Sequence, residues 1–513
     1  MVALGLVVVL PSTSPATHTP APAPPPCTDT SFLTLEASGS LKSILCSGQM
    51  AGFEFPGIPD GIGVAPGPTS GTVDVYVNHE ESEVPFPAPP ASNAQGDFQD
   101  SSVSKLTLDR ATGALVGASV ALPESAGFMR LCSATMAGPT EGFERWTFFT
   151  NEETDDVVDV DPGAPYGPDP AVAPQRQGGY SVVLDEETGD FTHVPGMGRH
   201  NHENTTPIPG GWERFAILST DDTFTATTSQ LYLYLAEQER HIWQDEGSLW
   251  AFQVTRTEDG PVDPFDPFNE ANDYLDLEAG EKFQGRFIRV PEDIARGLTA
   301  ERPQTALENW SNENNVFQFV RLEDIDYDRN NHRVAYIADT GATRVVPNPA
   351  TGRMHRPSGV TGQADNGSIF RFKFDQKNPR RVTSFTLLLD ADTGGPGGPG
   401  GAMHQPDNIG ASGDALMVQE DTAPPNPNSR VWRYDFGTQT WDVVAHVNES
   451  DWESSGIVEA GNWFAHGPNE EVWLLDVQGH GEDDWVRHEN PTPTRPWFLR
   501  LESGQVLLMK LQV

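Results

Sequence analysis

The chain has 513 residues, a formal net charge of −42 from 74 Asp and Glu against 32 Lys and Arg, and three cysteines. It is long enough to bury a large core, and so negative a chain is a poor partner for nucleic acid. The same acidity fits either calcium binding or life at high salt, and the sequence does not separate the two. Gly (49) and Pro (44) are abundant and no long helical period follows the N-terminus, so we predict an all-β fold.

The N-terminal residues 1–26 are predicted to be a signal and a Pro-rich linker. Met1–Leu10 is a short apolar run, followed by the extended segment Pro11–Pro26. The run resembles the core of a secretion signal, although no basic residue precedes it, and it is too short to span a bilayer. No later segment is a candidate for a stable membrane span. We therefore expect the protein to be secreted, periplasmic or located at the cell surface.

A single domain is predicted over residues 27–513. If the chain is exported, Cys27 and Cys46 are close enough in sequence to form one disulfide, which leaves Cys132 over. A lone cysteine is more often a small buried apolar residue than a ligand. The role of Cys132 therefore depends on the residues around it.

One type of short strand recurs along this domain. Each copy is an apolar run rich in Val, Phe, Tyr or Ile that ends in acids or other metal-binding side chains. The runs are too short for helices, and their recurrence at intervals of roughly fifty residues or more predicts a radial repeat of small sheets, with these strands innermost. The six copies are Val73–Glu81, Trp146–Glu153, Arg214–Asp222, Arg321–Thr340, Met403–Thr422 and Val472–His480.

Other segments complete the predicted sheets. Asp259–Leu307 is polar and is predicted to be an insertion with short helices near Glu292–Gly297, and Arg495–Val513 is predicted to give two strands that close the ring with an N-terminal strand. Four further segments have the alternation of hairpins, and the last two of them are expected to be outer strands. These are Leu106–Ala121, Tyr180–His193, Gly367–Leu389 and Arg430–Val447.

The acidic strand ends predict a metal site. In a radial repeat, equivalent strand ends meet at one mouth of the central channel, where many carboxylates cannot all stay ionised unless cations lie between them. Calcium takes several carboxylate and carbonyl oxygens. The alternative is that each acid caps an exposed strand end beside a turn.

Seven motifs resemble those of the PhoX-type alkaline phosphatases and their wider group of secreted propeller proteins. They occur in the same order as in that family and cover the chain from about Phe53 to His480. They are IPDGIG (Ile58–Gly63), VNHEE (Val77–Glu81), LCSA with WTFFTNEET (Leu131–Thr154), GRHNHEN (Gly198–Asn204), LEDIDYD (Leu322–Asp328), QPDNI (Gln405–Ile409) and ESSGI with WLLDVQGH (Glu453–His480).

The resemblance implies a six-bladed β-propeller with irregular loop insertions, whose channel mouth holds an iron pair and several calcium ions. It also implies hydrolysis of small phosphomonoesters at alkaline pH. The family's ligand cysteine falls at Cys132, its acidic pair at Glu152 and Glu153, and a further glutamate at Glu203. Asn151 stands where the family has a second cysteine, and the glycine pair after the first cysteine is absent.

From this resemblance and from the strand ends we predict two sets of site residues. Arg199 and Arg321 are expected to grip phosphate with forked donors, the alternative for each being a salt bridge to a neighbouring acid. His79, His202 and His480 are candidate ligands or donors to ligands, and each taken singly is more consistent with a structural histidine. The predicted metal ligands are Cys132, Glu203, Glu80, Glu152, Glu153, Glu323, Asp407, Asn408 and Glu420.

A second function from another class remains open at this point. The chain could be a catalytically inactive calcium-binding propeller that acts as an extracellular binding module. Cys132 discriminates between the two, because an inactive relative has no need of a soft ligand suited to iron. The sequence does not determine the oligomeric state.

Overall fold

The computed structural model describes residues 31–80, 101–154, 177–223, 228–341, 345–356, 366–393, 402–421, 428–450, 452–479 and 503–513, and the backbone of 485–487 and 498–500. The predicted signal and linker, Cys27 and His480 lie outside these residues.

Antiparallel sheets of four strands make up the first third of the described chain. It begins with β1 (Leu33–Leu35) and β2 (Gly39–Cys46), which join sheets formed much later in the sequence. The first sheet consists of β3 (Pro59–Pro66), β4 (Thr72–His79), β5 (Ser102–Asp109) and β6 (Leu115–Leu122). The second consists of β7 (Leu131–Ala137), β8 (Thr147–Glu152), β9 (Ser181–Asp185) and β10 (Phe191–His193).

A larger sheet follows, built from two four-stranded meanders. The first meander is β11 (His202–Pro207), β12 (Phe215–Asp221), β13 (Leu231–Ala236) and β14 (Ser248–Thr257), with β15 (Gly260–Pro261) paired to β14. After β16 (Phe283–Arg289), the second is β17 (Leu322–Tyr327), β18 (Val334–Asp339), β21 (Ser368–Phe374) and β22 (Arg381–Asp390), while β19 (Val346–Pro347) and β20 (Met354–His355) form a separate pair. β16 lies between β14 and β22 and joins the two meanders.

The last two sheets take in the strands from the start of the chain. β23 (Pro406–Ala411), β24 (Ala415–Glu420), β25 (Arg430–Asp435) and β26 (Thr440–Val447) are extended by β1. β27 (Glu453–Glu459) and β28 (Glu470–Gly479) are completed by β31 (Ser503–Gln512) and β2, and β29 (Trp485–Arg487) pairs with β30 (Phe498–Arg500). The pairing of β31 with β2 confirms the predicted closure by the C-terminal segment.

Helices are few and short in the described part of the chain. They are α1 (Glu239–Trp243), α2 (Glu292–Ala295) and α3 (Pro303–Glu313), with 3-10 turns at Glu124–Ala126, Pro195–Met197 and Tyr274–Asp276. α2 confirms the short helix predicted in the insertion, whereas α3 was not predicted, because its sequence PQTALENWSNE carries too few apolar residues to show a helical period. None of the described helices has the length and apolar character that crossing a membrane requires.

The sheets are arranged like the blades of a propeller, and the all-β prediction is confirmed. Six edge strands contact one another in succession, and the last returns to the first. They are β3, β7, β11, β17, β23 and β27.

The predicted place of the acid-ended strands was wrong by one position. The predicted runs are strands, but they do not form the ring. Each pairs directly with one of the six ring strands and so is the second strand of its blade-like unit; they are β4, β8, β12, β18, β24 and β28. The second strands are covered on both faces, so their sequences are apolar runs. The ring strands pack closely against one another and carry Gly and polar residues at these contacts. At Gly61 in β3, for example, a Cβ would lie 2.1 Å from the main-chain nitrogen of Ala134 in β7.

Each edge strand has a β-bulge near its start. Such an irregularity re-aims side chains and recurs next to functional sites. The register shifts lie between Pro59 and Ile62, Cys132 and Ala134, His202 and Thr205, Leu322 and Ile325, Pro406 and Ile409, and Ser455 and Ile457.

The largest apolar core fills the space between the two joined meanders. The ring of Phe385 lies there, 5.3 Å from that of Phe252 and 5.6 Å from that of Phe370. Burial of such large rings supplies much of the driving force for folding. The core fixes the strands whose ends carry the site.

Candidate metal centre

Seven buried or half-buried side chains, here called the acidic cluster, meet at one end of the ring of edge strands. Three overlapping groups have ligand atoms within 4.8 Å of one another: Asp60, Glu80 and Cys132; Cys132, Glu153 and Glu203; Glu203, Glu323 and Asp407. Cys132 belongs to the first two groups and Glu203 to the last two. The cluster is therefore continuous.

Equivalent positions in the sheets supply these residues. Five of them are the second residues of β3, β7, β11, β17 and β23, and the other two, Glu80 and Glu153, directly follow β4 and β8. In an antiparallel pair the start of one strand lies beside the end of the next, as Pro59 lies opposite His79 and Leu131 opposite Glu152. Strand starts and strand ends thus converge at one edge.

Cys132 lies between two carboxyl groups. Its thiol is free and buried, and Sγ is 3.2 Å from Oδ2 of Asp60 and 3.5 Å from Oε1 of Glu203. Burial and the charges of Asp60 and Glu203 raise the pKa of this thiol well above its usual value. The thiol therefore stays protonated unless positive charge lies among these groups.

The pKa values of five carboxyl groups in the cluster are also raised. Burial is the largest cause of each pKa shift, and the charges of neighbouring carboxylates add to it. Oδ1 of Asp60 is buried and has no hydrogen-bond partner among the described residues. The pKa is raised well above its ordinary value at Asp60, Glu153, Glu203, Glu323 and Asp407.

Two arginines border the cluster. Nε of Arg130 lies 3.0 Å from Oε2 of Glu153 and 3.7 Å from Oε2 of Glu80. Arg321 donates to both carboxylate oxygens of Asp222, with Nε 2.6 Å from Oδ1, and its Nη2 is 3.5 Å from Oε1 of Glu323. Among the described residues, these two cations do not balance the seven acidic groups, so the arrangement favours further positive charge.

A chain of small polar side chains supports Glu203. Ser133 donates a hydrogen bond to Oε1 of Glu203, and Nδ2 of Asn408 donates to Oγ of Ser133 at 3.2 Å. Ser455 donates to Oδ1 of Asn408 at 2.9 Å. Asn408, a predicted ligand, therefore lies beside the cluster and orients one of its members.

Glu152 and Glu420, also predicted as ligands, lie outside the three groups. Glu152 accepts hydrogen bonds from the main-chain N–H of Met129 at 2.9 Å and of Tyr180 at 3.2 Å. Glu420 accepts from Nη2 of Arg430 at 2.8 Å and from Nε1 of Trp432 at 2.9 Å. Both carboxylates are buried and accept hydrogen bonds from protein donors.

Arg199 and the two described histidines have contacts that favour structural roles. Arg199 donates to the carbonyl of Gln177 and lies 3.7 Å over the ring of Tyr180. Nε2 of His79 is hydrogen-bonded to Oγ of Ser104, and Nδ1 of His202 is hydrogen-bonded to Oγ of Ser219, each at 2.8 Å. Burial lowers the pKa of both imidazoles to about 3, so both are neutral.

Four residues of the site were missed in the sequence. They are Asp60 in the cluster, Arg130 and Asp222 beside it, and Ser133 under Glu203. One signal was available: Asp60 lies in Pro-Asp-Gly-Ile-Gly and Asp407 in Pro-Asp-Asn-Ile-Gly, so the second motif points to the first.

Comparison with known proteins points to one family. The family model described as alkaline phosphatase PhoX matches residues 125–439, more than half of the chain. Pseudomonas fluorescens PhoX, solved in complex with vanadate, a transition state analogue, superposes with a TM-score of 0.61 at 15% identity, over 96% of this chain and 97% of that chain. At this identity the match speaks for the fold.

Other structures are more distant. A subtype N11 neuraminidase-like protein of A/flat-faced bat/Peru/033/2010 has a TM-score of 0.38 at 9% identity, over 93% of this chain and 95% of that chain. An α-L-arabinofuranosidase from Fusarium graminearum has a TM-score of 0.38 at 8% identity, over 94% of this chain and 98% of that chain. Both are too distant to inform the fold or the function. No curated protein matches the chain.

Proposed function

The chain belongs to the alkaline phosphatase PhoX family, and from this premise we propose that it hydrolyses small phosphomonoesters at the acidic cluster. It is a phosphatase by family. The observation that carries the proposed site is the continuity of the cluster, in which a thiol and six carboxyl groups from four sheets lie within reach of shared cations.

We propose that the fold is a six-bladed propeller with the cluster at one mouth of its central channel. The support is the closed succession of six edge strands, each followed in its sheet by three further antiparallel strands. Because five of those strands contribute their second residue to the cluster, a central position is the one that all of them reach equally.

The donor set fits the cations that the family implies. Carboxylate oxygens suit calcium, and a thiolate suits iron. Burial and neighbouring carboxylates raise the pKa values of these acids, and Oδ1 of Asp60 has no hydrogen-bond partner among the described residues; bound cations would offset the first and satisfy the second. We propose that Cys132, Asp60 and Glu203 hold iron and that Glu80, Glu153, Glu323 and Asp407 hold calcium.

When bound, such cations neutralise phosphate oxygens and lower the pKa of a bound water. The chain's own residues would position the substrate. Asp222 fixes the guanidinium of Arg321 by a two-point contact beside Glu323, and we propose that Arg321 orients the phosphate. Ser133 keeps Glu203 in place, and Arg130 keeps Glu153 in place.

The proposal is tested by elemental analysis of the purified protein together with hydrolysis of p-nitrophenyl phosphate across pH, with and without chelator. We expect calcium and iron in the protein, activity at alkaline pH, and loss of activity with the metal. Metal-loaded protein that hydrolyses no phosphomonoester at any pH would refute the proposal and leave the binding propeller in its place.

We also propose that the protein is exported. The support is the apolar run Met1–Leu10 and the Pro-rich segment after it. An epitope-tagged full chain should be recovered outside the cytoplasm with its N-terminus shortened, and an intact N-terminus in the cytoplasmic fraction would contradict export.

A further inference from the structure

Gln304 lies in α3, which belongs to no sheet, and its side chain is hydrogen-bonded to Asn201 and Asp221, which lie in the chain close to Glu203 and Asp222. We propose that Gln304 is a positioning residue of the phosphatase, which sets where Glu203 and Arg321 stand. The inference rests on the proposed function of the cluster.

The burial of Gln304 calls for an explanation. It is the second residue of α3, and its side chain is only 3% exposed. A buried amide costs free energy unless it is hydrogen-bonded. Here Oε1 accepts from the main-chain N–H of Asn201 at 2.9 Å, and Nε2 lies 3.3 and 3.4 Å from the two carboxylate oxygens of Asp221.

The first contact leads to Glu203. Asn201 lies two residues before Glu203, just ahead of β11, and is paired with Asp222: the N–H of Asp222 donates to the carbonyl of Asn201 at 3.0 Å, and Nδ2 of Asn201 donates to the carbonyl of Asp222. Gln304 therefore fixes the start of the strand that carries Glu203.

The second contact leads to Arg321. Asp221 ends β12 and precedes Asp222, whose carboxylate holds Nε and Nη2 of Arg321. Arg321 in turn lies 3.5 Å from Glu323. Hydrogen bonds and ion pairs, together with the main chain from Asn201 to Glu203 and from Asp221 to Asp222, thus link α3 to two members of the acidic cluster, Glu203 and Glu323.

Gln177 supports the same loop from the other side. The main-chain N–H of Gln304 donates to Oε1 of Gln177 at 3.0 Å, and Nε2 of Gln177 donates to the carbonyl of Arg199 at 3.2 Å. The loop before β11 is therefore held at Arg199 and at Asn201. A small shift of α3 would move Glu203 and Arg321 together, and catalysis is sensitive to misplacement on this scale.

The test uses the full chain loaded with metal and the variants Gln304→Met, Gln304→Glu and Gln304→Glu combined with Asp221→Asn. Met keeps the shape and removes both contacts. Glu keeps the acceptor for Asn201 but sets a second carboxylate against Asp221, and Asn at position 221 restores a donor to it. Asn309→Ala, an exposed change on the same helix, is the control.

We expect kcat to fall at least tenfold in Gln304→Met and Gln304→Glu, a size typical of residues behind metal ligands, in variants that are still folded and bind as much metal as the wild type. The added Asp221→Asn should restore most of the activity lost in Gln304→Glu, which helix packing alone would not do.

Three results would overturn the inference: wild-type kcat in Gln304→Met, an equal loss in Asn309→Ala, or no recovery in the double variant. If Gln304→Met does not fold, the comparison of Gln304→Glu with the double variant decides. A wild type without phosphatase activity removes the proposed function itself, whereas an active wild type with an equally active Gln304→Met removes only the role of Gln304.

Discussion

Single residues decide which acids of this chain belong to a site and which belong to the fold. Glu152 and Glu153 are neighbours, yet the first binds main-chain N–H groups and the second joins Cys132 and Glu203. Successive side chains of a strand point to opposite sides. Only one of the two adjacent acids therefore lies in the cluster, and the sequence alone does not show which one.

Replacement of Cys132 by Ala should abolish hydrolysis of p-nitrophenyl phosphate, with a loss of at least about 100-fold, since a ligand matters no less than the groups behind it. The fold should survive, because one small buried side chain contributes little to so large a core. Met136→Leu in the same strand is the control. Full activity in a folded, metal-loaded Cys132→Ala would rule out the thiol as a ligand.

Asp273, far from the cluster in sequence, predicts a pH effect on stability. Burial, and then the charge of Asp276, raise its pKa from 3.8 to about 7. Between these values the folded protein binds more protons than the unfolded chain, so this group lowers stability as pH rises from about 4 to about 7.

Asp273→Asn keeps an acceptor for the N–H of Leu275 and cannot ionise. Above pH 7 the variant should therefore melt at a higher temperature than the wild type, and its free energy of unfolding should be larger by at most a few kcal/mol, at about 1.4 kcal/mol per pKa unit. At pH 4 the two proteins should be equally stable. Exposed Asp263→Asn is the control. Parallel melting curves for wild type and Asp273→Asn from pH 4 to 8 would contradict this.

At the scale of elements, the repeated edge strand with its bulge is the unit that builds the site. Ile58, Arg130 and Gln405 precede β3, β7 and β23 and have positive φ values of 43°, 45° and 47°. Such backbone is uncommon for these residues and turns the chain sharply into each strand. The second residue of the strand is then Asp60, Cys132 or Asp407.

Gly61→Ala should therefore harm both fold and site. The added Cβ would lie 2.1 Å from the nitrogen of Ala134 and 2.3 Å from the carbonyl carbon of Ser133, which are backbone atoms and cannot move aside cheaply. We expect a loss of about 1–3 kcal/mol in thermal or urea unfolding and reduced activity. Gly117→Ala in outer strand β6, whose nearest atom would be 3.7 Å away, should change neither. Equal stability of the two variants would show that β3 and β7 are not packed this closely.

At the scale of the whole molecule, the acidic cluster ties sheets that are far apart in sequence. Its members come from β3, β7, β11, β17 and β23 and from the ends of β4 and β8. Ligands that bind only the folded chain stabilise it by mass action. Metal binding and ring stability should therefore be coupled.

Removal of metal by chelator should lower the melting temperature clearly, since a ligand present at about 100 times its Kd contributes ~2.7 kcal/mol. Added calcium should restore it. Differential scanning calorimetry with elemental analysis of the same samples measures both. An unchanged melting curve in protein shown to have lost its metal would separate the cluster from stability.

The sequence by itself determined the all-β class, the second strand of each sheet, the hairpins and the pairing of the C-terminal segment with an N-terminal strand. The class, the strands and the hairpins follow from local patterns of apolar residues and turns, whereas the pairing of the C-terminal segment was expected from the predicted radial repeat. It also predicted Cys132, Glu203, Glu323 and Asp407 as candidate ligands, and the structure brings these four side chains into the acidic cluster.

Only the tertiary structure decided which strand lies at the edge of the ring and which acids meet. Asp60 and Cys132 are 72 residues apart, and Asp60 and Gln478 are 418 apart, yet each pair is in contact. Such contacts depend on closure of the ring and on bulges that shift the register, neither of which leaves a local pattern. Arg130, Asp222 and Gln304 were missed for this reason: the groups that they contact are brought to them by sheets folded elsewhere in the chain.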